Sequence, residues 1–240
     1  MDPQERLRIA RESPTPYEDR VVALVDVLGW SELMRRSVSE PAVLSAVSEA
    51  AVLMSMAPDY VQEVNQIQKT ISEGHTPDTR GTNFSDTFVL SHPIDRFAEV
   101  NVLRMVGQLC VGLLERGHYT RGAIVRGLVH HTTNELFGPA IVEAHKLESV
   151  VAKYPRVIVA PSAAELFDSK VGLRTDSDGL LYLDLLSLYH PKEEDILWLR
   201  NIRAQILAKM EADKSDLERM AKHQWLLNRA DESLRRVGAG

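Results

Sequence analysis

The sequence predicts a mixed fold of strands and helices around one mostly antiparallel sheet, and three observations carry that reading. Short β-branched runs alternate with longer stretches of helical periodicity. The 240 residues are 44% hydrophobic, enough to bury a sizeable core. No linker-like stretch divides the first 190 residues.

The elements follow in order. Residues 1–19, with Pro3, Pro14 and Pro16, read as a loosely attached N-terminal arm. Arg20 to Leu28 is β-branched and apolar and predicts a strand buried on both faces. Gly29 breaks it, and a helix begins at Trp30. Ser39 to Ile71 is helical, with Pro41 and Pro58 as boundaries, and Glu73 to Thr82 is a polar loop. Asn83 to Ser91 predicts a strand pair or a strand with a tight turn, ended by His92-Pro93. Phe97 to Glu115 is a helix, and Tyr119 to His130 a strand. Leu136 to Pro139 leads into a helix over 140–151, with Pro139 suited to its first turn. A strand over 156–160, a short helix over 162–168 and a strand over 180–186 complete the body. Residues 191–235 predict a charged, amphipathic tail of two helices. The expected organisation is an arm (1–19), a catalytic domain (20–190) and a C-terminal helical extension (191–240).

Charge and cysteine content exclude some functions. A formal net charge of -6 argues against a nonspecific nucleic-acid binder, which needs a basic surface to displace counterions. A small anion delivered with a metal is compatible with it. The single cysteine, Cys110, forbids an internal disulfide or a multi-cysteine zinc site. The polar N-terminus lacks the apolar core of a signal peptide, and the longest apolar run, Val21 to Trp30, is short and contains Asp26. The expectation is a cytoplasmic protein with no membrane segment.

Asp26 is the most informative residue. A carboxylate among Val21 to Val25 is costly unless it is paired, ligates a metal or caps the next helix. Asp86 sits in a second strand-like run, where Ser85-Asp86 also has turn chemistry. Two carboxylates at adjacent strand ends suit a hard cation such as Mg²⁺ or Mn²⁺ shared with substrate phosphates. Gly29 permits a tight turn before a helix, where backbone N–H groups favour phosphate oxygens. Arg121 and Arg126 point to opposite faces of one strand, so at most one reaches a given site. Glu143, Lys146 and Glu148 read as a solvated helix face with i,i+3 pairing, His145 as exposed, and His130-His131 as structural.

These residues resemble a family. Val25-Asp26-Val27-Leu28-Gly29-Trp30 is similar to the D-I-x-G-F motif that opens class III nucleotidyl cyclases. Phe84-Ser85-Asp86 is similar to their I-G-D. Arg121 to Gly127 resembles their R-x-G-I-x-x-G strand, with Ala123 replacing the first motif glycine. Residues 137–148 (FGPAIVEAHKLE) resemble their G-x-x-V-N-x-A-x-R-L helix. The four motifs keep the family's order across residues 21–151. The match is nearest to the bacterial pyrimidine cyclases of Pycsar anti-phage systems. They resemble it also in the FGPA-x-x-EA-x-x-LE helix, the Y-P-R-V-I-V strand and a Trp-Leu pair in a helical tail, here Trp225-Leu226.

The resemblance implies an α+β, ferredoxin-like palm with a C-terminal helical extension. It also implies a head-to-tail homodimer with composite active sites and a nucleoside triphosphate substrate. Asp26 and Asp86 would hold two divalent ions, Mn²⁺ or Mg²⁺, with the Val27 carbonyl as an extra ligand. Leu28, Gly29 and Trp30 would cradle the triphosphate. The partner would supply base contacts and a cation, with Lys146 and Arg121 as the catalytic candidates. The base-selecting Lys and Asp of purine cyclases fall on Thr82 and Glu135, which weakens the case for ATP. Both residues could hydrogen-bond either pyrimidine edge, and the preference for UTP over CTP comes from the resemblance alone. The family's helix Asn and Arg fall on Val142 and Lys146, and lysine cannot bind charge in bidentate fashion. The stretch between the two aspartates is longer than in typical members.

The expected function is thus cyclisation of UTP or CTP to the 3′,5′-cyclic monophosphate. Its setting would be antiviral second-messenger synthesis, read by a separate effector that responds to the cyclic nucleotide. The rival reading is a catalytically inactive cyclase-like module that binds a nucleotide or a partner. A third, a dinucleotide cyclase or polymerase-like transferase, lacks its GG(D/E)EF-type turn.

Overall fold

The structure is a computed structural model that describes all residues except 1, 14, 73, 75, 168–170, 188–192 and 239–240, and the side chains of Arg6, Glu193 and Glu194. Parts of the sequence expectations therefore lie outside the described residues: the start of the 73–82 loop, the end of the 162–168 helix and the beginning of the C-terminal extension.

The fold is α+β, with a mainly antiparallel sheet flanked by helices. Its centre is four strands, β1 (Glu18–Val27), β2 (Arg80–Phe84), β3 (Thr87–Pro93) and β4 (Thr120–His131), ordered β2-β3-β1-β4 and all antiparallel. Between β1 and β2 come α2 (Trp30–Ser37) and α3 (Pro41–Ile71); between β3 and β4 comes α4 (Ala98–Glu115). This interleaving of two split β-α-β units is the ferredoxin-like plan. The sheet continues beyond β4 with β6 (Val157–Val159), parallel to it, then β8 (Leu181–Leu183) and β7 (Leu173–Thr175). β5 (Leu136–Phe137) folds back on the end of β4. A helix α5 (Pro139–Lys146), closed by a π turn (Leu147–Val151), links β4 to β6, and α6 (Pro161–Ala164) follows β6.

The alternation along β1 divides the core. Val21, Ala23, Val25 and Val27 join Phe88, Leu90 and Ile124 against α3 and α4. Val22 and Leu24 join Val89, Val125, Ala140 and Ala144 under α5. Asp26 continues the second set, so its carboxylate belongs to the α5 face. The strands approach closely at Gly122, where a Cβ would lie 2.3 Å from the Leu24 carbonyl oxygen.

Several boundaries differ from expectation. The arm contains a helix, α1 (Pro3–Glu12), and β1 starts two residues early. Thr82 lies inside β2 rather than at the end of a loop. β7 was not anticipated, because three residues are too few to show an alternation. Pro58 lies inside α3 instead of bounding it. The missing N–H costs one helical bond, but Val47, Ala50 and Met54 before it, and Val61 and Val64 after it, are all anchored in the main core. α3 is also long and apolar enough to cross a membrane by length and composition, which the sequence reading did not foresee. One stripe, Val47, Ala50, Met54, Val61 and Val64, packs on the sheet, while only 17% of its most apolar window is buried.

The C-terminal helices α7 (Glu193–Ala212) and α8 (Leu217–Arg236) form an antiparallel pair. Leu199, Ile202, Ile206, Leu226 and Leu227 bury against Leu114, Tyr119 and Leu186. Trp225 stacks on Tyr154 with ring centroids 6.0 Å apart, and its indole N–H donates to Asp176 at 2.7 Å. Asp176 and Asp178 also pair with the buried Arg156.

Candidate active site

Asp26 stands at the sheet end nearest α2. Its register partners are Thr87 on β3 and Arg121 on β4. Thr87 Oγ1 donates to Asp26 Oδ1 at 3.2 Å, and Arg121 Nη2 lies 3.6 Å from Oδ2. Burial, then the charges of Asp86 and Glu148, push the Asp26 carboxyl up to about 6, against the opposing pull of Thr87 and Arg121. Asp86 occupies the β2–β3 turn, after Ser85 at φ +56°, and its carbonyl accepts from Val27 N–H at 3.2 Å. Both carboxylates thus belong to one end of two neighbouring strands, tied by a backbone bond across the turn.

Glu148 is the residue the sequence reading missed. It was placed on a solvated face, but it is 3% exposed and forms an ion pair with Arg121 Nε. Burial raises its carboxyl above the ordinary range, with Arg121 opposing. The signal was present: Ala140, Ala144 and Glu148 repeat every fourth residue, and both alanines are buried under the sheet. Glu143 and Lys146 are exposed as expected, and so is His145.

Beyond Asp26 the chain turns sharply. Leu28 N–H donates to the Tyr119 carbonyl at 2.8 Å, and Gly29 takes φ +78°, a left-handed conformation that favours glycine. α2 begins there without a side-chain cap. Trp30 points its ring into the core at 8% exposure, so only its backbone can serve a ligand.

The remaining candidates are dispersed within one chain. Thr82 Oγ1 is engaged with His131 Nε2 at 2.9 Å, in a network that includes Ser91 and the buried Arg20. Glu135 bonds His130 at 3.1 Å in the β4–β5 turn. Ten strand residues separate Arg121 from His131, which puts Glu135 roughly 30 Å from Asp26. The histidine pair is buried and hydrogen-bonded, as its structural reading required. Arg126 pairs with Asp19, away from Arg121.

No group of three or more His, Cys, Asp and Glu side chains arranged to hold a metal ion occurs among the described residues. The donor chemistry nonetheless fits a hard divalent cation: two half-buried carboxylates that repel each other at one strand end.

The fold and site together define an α+β sheet protein with an acidic centre at one strand end. No protein-family model matches the chain, and no curated protein does. Among solved structures it is similar to the monomeric guanylyl cyclase domain of the RhoGC fusion protein from the aquatic fungus Blastocladiella emersonii. That likeness has 11% identity and a TM-score of 0.48, and covers 70% of this chain and 96% of that one. A bacterial light-regulated adenylyl cyclase aligns with 11% identity and a TM-score of 0.48, over 82% of this chain and 63% of that one. A class III adenylyl cyclase-like ATP-binding protein from Pseudomonas aeruginosa aligns with 13% identity and a TM-score of 0.35, over 92% of this chain and 44% of that one. The chain therefore spans less than two thirds of the length of the last two.

Proposed function

We propose that this protein is a nucleotidyl cyclase that converts a pyrimidine nucleoside triphosphate, UTP in preference to CTP, to its 3′,5′-cyclic monophosphate. The observation that carries the reading is the Asp26–Asp86 pair beside the Gly29 turn. The ordered set of four motifs across residues 21–151 supports it.

In the reaction the 3′-oxygen bonds to the α-phosphorus as the bond from that phosphorus to the bridging oxygen breaks. The products are the cyclic monophosphate, pyrophosphate and one proton. Two divalent ions, held by Asp26 and Asp86 with the Val27 carbonyl, would neutralise the phosphates and acidify the 3′-hydroxyl. The turn over Leu28, Gly29 and Trp30 would offer backbone N–H groups to the triphosphate. Arg121, held by Glu148, would place a positive charge next to Asp26.

A homodimer with composite sites completes the scheme. Lys146 and Val142 lie exposed on α5, and Glu135 stands at the far end of β4. A second chain docked head to tail would bring such groups to Asp26, with Lys146 as a transition-state cation and Thr82 and Glu135 reading the base. The antiviral role and a separate effector for the cyclic product rest on the Pycsar resemblance. Separate incubation with the four ribonucleoside triphosphates and Mn²⁺, followed by chromatography, tests the reading. Cyclic UMP or cyclic CMP is expected, and cyclic AMP or cyclic GMP as main product overturns the pyrimidine assignment.

One observation favours a second reading, a binding module without turnover. Val142 is apolar and 70% exposed where the resembled family carries a catalytic asparagine. Release of pyrophosphate from a bound triphosphate separates the two readings.

A further inference from the structure

A cleft of about 430 Å³ opens between the outer side of α2 and the α7–α8 pair. Leu28 and Gly29 form one edge, and Tyr119 and Lys209 lie on the opposite side. Five Lys and Arg residues line it against two carboxylates, a surplus of three positive charges in a chain whose net charge is -6.

Four of the five are already engaged. Arg36 pairs with Glu40, Arg219 with Asp213 and Asp216, and Lys222 with Glu218. Arg116 donates to the Gly112 carbonyl and lies 4.0 Å from Glu49. Lys209 differs. Its ammonium stands 5.5 Å from the centre of the Tyr119 ring, and among the described residues no acceptor takes a hydrogen bond from it. Burial lowers its pKa despite the nearby Asp213. The ring beneath is fixed, because Tyr119 Oη bonds His223 Nδ1 at 3.0 Å and His223 Nε2 bonds Asp213 at 2.9 Å. A half-buried ammonium with three unused donors is an unfavourable arrangement that an anion would relieve.

We propose that this cleft binds a polyphosphate anion, with Lys209 as its principal cation and the engaged arginines and Lys222 as its rim. The site belongs to the C-terminal helices as much as to the sheet domain. It shares the Leu28–Gly29 edge with the proposed substrate turn but uses neither Asp26 nor Asp86, so its test does not require cyclase activity. The chemistry is shared by a free polyphosphate and by the phosphate tail of a nucleotide lying along the Gly29 turn.

Titration calorimetry of the full chain with inorganic tripolyphosphate, in EDTA and at low salt, tests it. One-to-one binding is expected. Lys209→Met, which keeps the aliphatic stem, should weaken it at least tenfold, and Lys209→Arg should largely retain it. The double variant Asp26→Asn, Asp86→Asn should bind tripolyphosphate as well as the unaltered chain, so failure of the cyclase reading leaves this result standing. Displacement by UTP in EDTA assigns the cleft to a nucleotide tail; tripolyphosphate that stays bound against UTP assigns it to a free polyphosphate. No binding by the unaltered chain, or equal binding by a Lys209→Met variant of unchanged melting temperature, overturns the proposal.

Discussion

Glu148, on the π turn after α5, forms an ion pair with Arg121 on β4, and the guanidinium then reaches Asp26 at 3.6 Å. One cation is thereby shared between a buried structural carboxylate and a candidate metal ligand. Neutralising Glu148 frees Arg121 to pair fully with Asp26, where it competes with any divalent ion. Glu148→Gln should weaken Mn²⁺ binding and lower kcat/KM by roughly tenfold. It should also cost about 1–3 kcal/mol of stability. Glu148→Asp should recover part of the metal affinity. A variant that loses stability yet binds Mn²⁺ normally would confine Glu148 to a structural role.

Burial and the Asp86 charge make the ionised Asp26 carboxylate costly to the fold, and in the proposed reaction both carboxylates hold the metal ions. Asp26→Asn removes a carboxyl that its surroundings hold at about 6. The expected result is loss of cyclisation by at least a hundredfold, with stability at pH 7 unchanged or higher by on the order of 1–2 kcal/mol. Asp86→Asn should also abolish turnover. Near-normal product formation by Asp26→Asn with Mn²⁺ would remove it from the metal site.

Acid stability should reflect two opposing groups. The Asp26 carboxyl titrates at about 6 in the fold, against an ordinary 3.8. The folded state therefore binds the extra proton between these values, and this contribution to stability falls as pH rises through the window. His131 is pushed down from 6.5 to about 4 by burial and by Arg20 and Arg80. Here the unfolded chain binds the proton, so stability is lost as pH falls from 6.5 towards 4. Asp26→Asn should steepen the acid loss and His131→Gln should flatten it. Denaturant titrations at pH 4.5, 5.5 and 6.5 measure both slopes, and unchanged slopes would refute the assignment.

Gly122 pairs with Val25 one residue from Asp26, and an added Cβ there meets the Leu24 carbonyl. Gly122→Ala forces β1 and β4 apart at the site. A loss of about 1–3 kcal/mol is expected, together with weaker Mn²⁺ binding, read by thermal melting with and without the ion. Unchanged melting would show that the strands yield at little cost.

Much of the fold was legible because its signals are local. The β-branched run ending at Val27, the glycine after it, and the periodicity of 97–115 need only neighbouring residues to be read. Asp26 stood out because a carboxylate in such a run demands a partner. The short β7 and the continuation of α3 through Pro58 were not legible, because distant packing decides them.

By itself, then, the sequence determined the order of the central strands and helices, the two aspartates at strand ends and the turn that follows the first. The tertiary structure decided which charges meet. It joined Glu148 to Arg121, took Thr82 into a bond with His131, and set Lys209 over Tyr119 in a cleft between segments some ninety residues apart. The physical reason is that strand register and helix docking fix the distances between charges far apart in the chain, and at such sites burial makes pairing decisive.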